Sequence, residues 1–423
     1  MNAFRSAGKP ATKPAKKSTL GAARGATQDR GESIALMEPL LIGQGSRHRP
    51  ALTDLALDLA QKSAGFRRSL PNSVLASLAD LVRSMNCYYS NLIEGHDTHP
   101  IDIERALKGD YSKDATKRDL QLEAKAHISV QQWIDNGSLK GRPLASDSIR
   151  EIHRRFCELL PDDLLWVEDP TTRKRVKVTP GELRGGDVKV GNHVAISPPA
   201  VPRFLQRFEE VYSGLGKTET ILAAAAAHHR LVWIHPFLDG NGRVARLMSH
   251  ATLLEALDTG AVWSIARGLA RSVDAYKGHL AACDLTRRND LDGRGNLSEE
   301  TLAEFSRFFL ATCIDQVSYM ESLMQPDQLR ARILLWAEEQ VRLGRLPARS
   351  GAVLEAVLYR GELPRAETPA IVDSSERSAR RVVSALLAQG VLASESTRAP
   401  LRLAFPATLA SRWMPGLFPP RAA

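Results

Sequence analysis

Along most of the chain, apolar residues recur at three- and four-residue spacing, the signature of amphipathic helices. Residues 73–93 (SVLASLADLVRSMNCYYSNLI) and 116–135 (TKRDLQLEAKAHISVQQWID) show it most clearly, and Gly137 stops the second. A further helix is expected over 147–160, with Asp147 or Ser148 as its N-cap. Between 161 and 199 the pattern changes. β-prone runs at 175–179, 187–190 and 193–196 alternate with the turn pairs 180–181, 185–186 and 191–192. Residues 187–196 predict a hairpin closed by Gly191 and Asn192, and Pro198–Pro199 ends it. Helical spacing resumes at 200–213 and 218–234, after Gly242 to about Leu257, at 271–284 and at 298–323, around a polar loop at 286–296. The expected fold class is mainly all-α with one small β-hairpin.

The last hundred residues read as a separate module. Helical patterns cover 327–343, 351–360, 366–372 and 376–389, and a short hairpin of 391–393 and 401–404 follows. Three helices and a hairpin predict a winged helix-turn-helix-like domain. Arg377, Arg380 and Arg381 would lie on its third helix, where such domains meet the DNA major groove. Docking of a protein partner, or dimerisation, is the alternative use. The expected division is a disordered basic tail at 1–34, a helical region at 35–115, a central core at 116–325 and the terminal domain at 326–423.

Composition narrows the classes. A chain of 423 residues with 43% hydrophobic and 25% charged residues fits two or three soluble globular domains. No apolar run approaches the roughly 20 residues that span a bilayer, so no membrane contact is expected. The first 33 residues hold no apolar core of a secretory signal. Four cysteines (Cys87, Cys157, Cys283, Cys313) lie far apart and form no CxxC pair, which argues against a zinc ribbon and a disulfide scaffold and fits a reducing, cytoplasmic setting. The formal charge of +9 sits at the two ends. Residues 1–32 carry seven basic against two acidic residues, and 325–423 carry fourteen Arg and no Lys against nine acids. Basic ends suit an anionic partner or a solvated tail.

The chemistry concentrates in residues 234–246, IHPFLDGNGRVAR. Gly240, Asn241 and Gly242 can turn tightly and expose backbone N–H groups at the start of a helix, an anion-binding nest. Arg243 and Arg246 lie three apart on one helix face and can grip a polyphosphate with two guanidinium forks. Asp239 offers a hard oxygen to magnesium, and His235 can act as a base near neutral pH. The neighbouring His228 and His229 read as packing residues. No HExxH or Cys/His cluster supports a zinc reading of 228–250.

The string HPFLDGNGRVAR resembles the motif of the Fic (filamentation induced by cyclic AMP) family at every defining position. The resemblance spans roughly 85–315 and implies a helical core that transfers AMP from ATP to a hydroxyl of a target protein. It implies His235 as the base, Asp239 as the magnesium ligand, and Gly240, Asn241 and Gly242 as the anion hole. Arg243 would bind the β/γ end of the nucleotide and Arg246 the γ-phosphate, with Phe237 anchoring the loop. Gly242 stands where the family's Doc-like kinases have Lys, which favours nucleotidyl over phosphoryl transfer and leaves UMP and other groups open.

The hairpin, with the lead-in 180–184, sits where the family has its flap. Val188, Lys189, Val190, Gly191, Asn192 and His193 would hold an extended target segment by strand addition. Upstream, Ser90-Asn91-Leu92-Ile93-Glu94-Gly95 resembles the family's inhibitory motif, on a helix over about 85–95. There Glu94 would pair with Arg246 and block the productive nucleotide pose, Ser90 would steady the helix, and Gly95 would stop it. The implied protein is an autoinhibited adenylyltransferase that uses Mg-ATP on an unidentified target or on itself, with a homodimer open. The alternatives are a de-AMPylase or bifunctional switch using Glu94, and a nucleotide-sensing DNA-binding regulator.

Overall fold

A computed structural model describes residues 19–20, 28–168 and 174–419. A short strand β1 (Thr19–Leu20) comes first, then five helices: α1 (Arg49–Arg68), α2 (Asn72–Ile93), α3 (Pro100–Leu107), α4 (Ala115–Asp135) and α5 (Ser146–Glu158). Local chemistry sets their ends. The Asp114 carboxylate accepts the Lys117 N–H at 2.9 Å and caps α4. Gly95, at φ +88°, closes α2: its N–H donates to the Leu92 carbonyl and that of His96 to the Asn91 carbonyl. This paired closure needs a left-handed residue, which glycine adopts without steric cost.

The start of α5 differs from expectation. Neither Asp147 nor Ser148 caps it; the helix begins at Ser146, whose N–H donates to Glu209 of a neighbouring helix at 3.0 Å. A tertiary carboxylate replaces the local cap, which sequence spacing does not reveal. Part of the segment 1–34, expected as a tail, is described. Residues 1–18 and 21–27 lie outside the described residues, but Asp29 and Glu32 pair with Arg203, and Arg30 pairs with Asp187.

Four short strands follow: β2 (Trp166–Glu168), β3 (Arg175–Lys177), β4 (Val188–Val190) and β5 (His193–Val194). β2 and β3 pair with each other; β4 pairs with β5 across the Gly191–Asn192 turn, as the spacing predicts. The other edge of β4 takes β1, with Thr19 opposite Lys189 and Leu20 opposite Val188.

The centre is helical: α6 (Val201–Tyr212), α7 (Lys217–Ile234), α8 (Asn241–Leu257), α9 (Ala266–Arg271), α10 (Val273–Cys283) and α11 (Glu299–Leu323). α7 and α8 form the most extensive helix pair, and α1, α6 and α11 also pack on α7. The alanine run 223–227 is buried throughout and lets these neighbours approach closely. The chain is therefore mainly α with small antiparallel hairpins.

The last elements are α12 (Pro326–Arg342), α13 (Ser350–Arg360), β6 (Glu362–Leu363), α14 (Thr368–Val372), α15 (Glu376–Ala388), β7 (Leu392–Ala393), β8 (Leu401–Leu403) and α16 (Ala410–Trp413). The sheet order is β6-β8-β7. This unit docks on the N-terminal helices. Tyr89 donates its hydroxyl to the Leu417 carbonyl at 2.8 Å, and the Ala407 N–H donates to Glu104 at 2.9 Å.

Candidate active site

The loop between α7 and α8 carries the motif. α7 ends at His235, which adopts φ +52° and accepts a left-handed backbone. Its ring is 6% exposed, and Nδ1 lies 3.2 Å from the Val232 carbonyl. A carbonyl only accepts, so Nδ1 carries the proton and Nε2 remains the basic nitrogen. Burial, aided by the Arg184 charge, pulls the ring down to about 3, so His235 is neutral near pH 7.

Two side chains from outside the motif fix this loop. Arg184, on the flap's lead-in, is buried and donates to the carbonyls of His235 (2.7 Å), Gly186 (3.0 Å) and Ile196 (2.5 Å). One guanidinium thus ties the His235 backbone to both ends of the flap. His193 on β5 adds a contact to the Trp233 carbonyl at 2.8 Å. The sequence reading placed Arg184 only in a flanking segment; a lone Arg between glycines and β-prone runs gave no sign of this role.

Phe237 is fully buried and stacks on His153, ring centroids 3.9 Å apart and nearly parallel. Asn241 differs from its expected use. Its Oδ1 accepts the Phe237 N–H at 3.0 Å and its Nδ2 donates to the Phe237 carbonyl at 2.8 Å. Both ends of the amide are spent on the loop, so what Asn241 can offer an anion is its backbone N–H. That N–H belongs to the first turn of α8, which starts after Gly240 at φ +80°, where helix geometry leaves N–H groups without helical partners.

Gly242 sits at the closest approach in the site. A Cβ there would lie 2.6 Å from Glu94 Oε1 and 3.2 Å from an Arg246 nitrogen. The glycine therefore makes room for the Glu94 carboxylate at the mouth of the nest.

Arg246 is buried and fully engaged by the end of α2. It donates to Glu94 Oε1 at 2.5 Å, to Ser90 Oγ at 2.8 Å and to the Ser90 carbonyl at 3.2 Å. Ser90 thus binds the arginine directly, beyond the helix-steadying role expected of it. Burial works to raise the Glu94 carboxyl, but Arg246, Arg243 and Lys277 outweigh it and hold it below the ordinary glutamate range. Nearby, the Tyr276 hydroxyl lies 2.7 Å from His228 Nε2, and His228 Nδ1 lies 2.8 Å from Ser249 Oγ. His228 is fully buried and drawn down to about 3 by that burial, a packing residue in a polar relay.

Asp239 is 53% exposed, with an oxygen 3.6 Å from Arg243 Nη2. Among the described residues no group of three or more His, Cys, Asp or Glu forms a metal cage. A single outward carboxylate beside an anion nest fits magnesium, which draws its other ligands from phosphates and water. The sequence reading also missed Glu123 on α4, whose carboxylate is paired with Arg243 and within 2.9 Å of His96 Nδ1.

Residues 143–253 match the model of the Fic/DOC family. The protein is similar to "Protein adenylyltransferase Fic" of Drosophila willistoni, at 28% identity over 187 residues, 44% of this chain and 34% of that protein. It is also similar to the protein of the same name from Drosophila grimshawi, at 29% over 171 residues, 40% and 32%. The chain thus spans about a third of the length of these curated relatives. Among solved structures, a Fic family protein from Desulfovibrio desulfuricans superposes with a TM-score of 0.50 at 16% identity, over 84% of this chain and 96% of that one, a likeness of fold. No described helix is long and apolar enough to cross a membrane. The matched span 143–253 includes the flap, the α7–α8 loop and the first turns of α8, so the likeness to the Fic/DOC family falls on the candidate site.

Proposed function

We propose that the protein is an autoinhibited adenylyltransferase that moves AMP from ATP to a Ser, Thr or Tyr hydroxyl of a target protein. The observation that carries this reading is the pairing of a neutral His235, basic at Nε2, with an anion nest whose Arg246 is occupied by Glu94. In the reaction His235 Nε2 takes the hydroxyl proton and the oxygen attacks the α-phosphorus. The bond from that phosphorus to the bridging oxygen breaks, and pyrophosphate leaves. First-turn N–H groups of α8 and the two arginines hold the phosphates, so catalysis is mostly positioning and charge stabilisation. Asp239 would hold a magnesium ion, which supplies neutralisation of phosphate charge.

The flap supports the strand-addition part of this reading. β4 already takes β1 of the same chain along its outer edge, so that edge accepts an extended partner through backbone hydrogen bonds. A target strand would use the same register, and the chain's own N-terminal segment stands in its place.

Glu94 acts as the brake because a γ-phosphate and a carboxylate compete for one guanidinium. Label transfer from ATP labelled at the α-phosphate tests this with the wild type, Glu94→Gly, and Glu94→Gly with His235→Ala. Freeing one charge-assisted hydrogen bond is expected to raise transfer by about 10–100-fold in Glu94→Gly. The added His235→Ala is expected to abolish it. A folded Glu94→Gly protein that binds ATP but transfers nothing would sink the reading.

For the C-terminal unit we propose a winged helix. The order α13, β6, α14, α15, β7, β8 with sheet order β6-β8-β7 supports it.

A further inference from the structure

Both motif arginines are held by carboxylates that lie outside the motif. Glu94 holds Arg246, and Glu123, only 6% exposed, holds Arg243. Glu123 is itself held: His96 Nδ1 lies 2.9 and 3.1 Å from its two oxygens. A buried carboxylate with a partner on each side, Arg243 and the partly exposed His96, has little rotational freedom.

His96 follows Glu94 and Gly95 directly, and its N–H is fixed to the Asn91 carbonyl at 2.9 Å in the closure of α2. The segment 94–96 therefore reaches both arginines, Arg246 directly through Glu94 and Arg243 through His96 and Glu123. The Arg243 guanidinium also packs on the Phe156 ring, 4.9 Å from its centroid, which fixes its plane. Its Nε is buried without a hydrogen-bond partner. A buried guanidinium donor left unpaired is costly, and a phosphate oxygen is the acceptor such a donor lacks.

We propose that Glu123 is a positioning residue for Arg243 in nucleotide binding, and that His96 holds Glu123 in place. This rests on the adenylyltransferase reading above. Pinned by Glu123 at one edge and by Phe156 on its face, Arg243 meets the phosphates with its rotamer already fixed, which removes an ordering cost from binding. The Glu94–His96 segment then sets the availability of one arginine and the orientation of the other.

The test is made in the full chain carrying Glu94→Gly, with ATP affinity measured directly and label transfer measured beside it. Glu123→Gln keeps the size of the side chain and removes its charge. It is expected to raise the ATP Kd about tenfold, the scale of one charge-assisted hydrogen bond losing its alignment. KM for ATP should rise in step, with kcat changing far less, because phosphate binding is common to ground and transition states. His96→Ala should move both in the same direction. The double variant should lose no more than the worse single, since both act through one path.

Unchanged ATP affinity in a folded Glu123→Gln protein would overturn the proposal. So would a kcat loss without a Kd change. If Glu123→Gln fails to fold, His96→Ala decides alone, because its partly exposed ring can be removed at little cost to the core. A Glu94→Gly parent that binds ATP and transfers no label would defeat the reaction assigned above while the Kd comparison still judges Glu123.

Discussion

At the scale of single residues, the site shows why a motif can be legible while its side-chain duties are not. His, Asp, the glycines and the arginines of 235–246 announce phosphate chemistry because few other tasks need all of them together. The same string did not reveal that the Asn241 side chain faces inward. It closes the Phe237 backbone with two hydrogen bonds at 3.0 and 2.8 Å. Asn241→Ala leaves a buried N–H and a buried carbonyl unpaired, at about 1–3 kcal/mol each. The variant is expected to unfold at lower denaturant, with unchanged m-value, and to lose transfer in the Glu94→Gly background. If instead Asn241 touched the nucleotide through its side chain, the loss would fall on ATP affinity with stability intact. Glu123 and Arg184 were illegible for the opposite reason. Each lies in a segment of ordinary composition, and its role exists only because the fold brings it to the loop.

At the scale of elements, periodicity located the long helices well, since a buried stripe over four or more turns leaves a strong imprint on sequence. α2, α4, α7 and α11 begin and end within a residue or two of their expected limits. Short elements were harder. β2, β6 and α9 hold three, two and six residues, too few for any period to register. In the C-terminal unit, α15 is the element whose use is open. Its inner residues Ala379, Val382, Val383 and Leu386 are buried, while Arg377, Arg380 and Arg381 are exposed. Arg380 pairs with Glu376 along the helix, an exposed pair that a polyanion can displace. Positive charge on an outward helix beside the β7–β8 hairpin is complementary to duplex DNA. Anisotropy titration of the full chain with a labelled duplex is expected to show salt-dependent binding. Changing the three arginines to Glu should lower the slope of log K against log salt by about 3, at ~0.9 per phosphate contact. A slope unaffected by the triple change, or no binding at low salt, would leave the helix to a protein partner.

At the scale of the whole molecule, the most consequential feature is how many histidines the helical core has swallowed. His127, His228 and His235 are drawn down to about 3, and His153 and His229 to about 4, with burial the leading cause in each. In the unfolded chain these rings titrate near 6.5. Between that value and the folded ones, the unfolded state binds more protons, so acid favours unfolding. Their contribution is fully present above about pH 6.5 and is lost as pH falls toward about 4 for His153 and His229 and about 3 for the other three. Each ring contributes ~1.4 kcal/mol per pH unit across its window. The Glu94 carboxyl, held low by its arginines, adds a separate loss only below the ordinary glutamate range. Urea unfolding at pH 7.5, 6.5 and 5.5 is therefore expected to show stability dropping steeply over the lower interval, well before carboxylates titrate. A flat profile would mean these rings take up protons in the folded state. The same burial that makes His235 a free base at neutral pH also removes its own titration from the working range. In the Glu94→Gly protein, the acid limb of the proposed label transfer should then coincide with loss of helical circular dichroism, the protein unfolding before His235 is protonated. A limb near pH 6.5 in fully helical protein would place His235 in contact with solvent once Glu94 is removed.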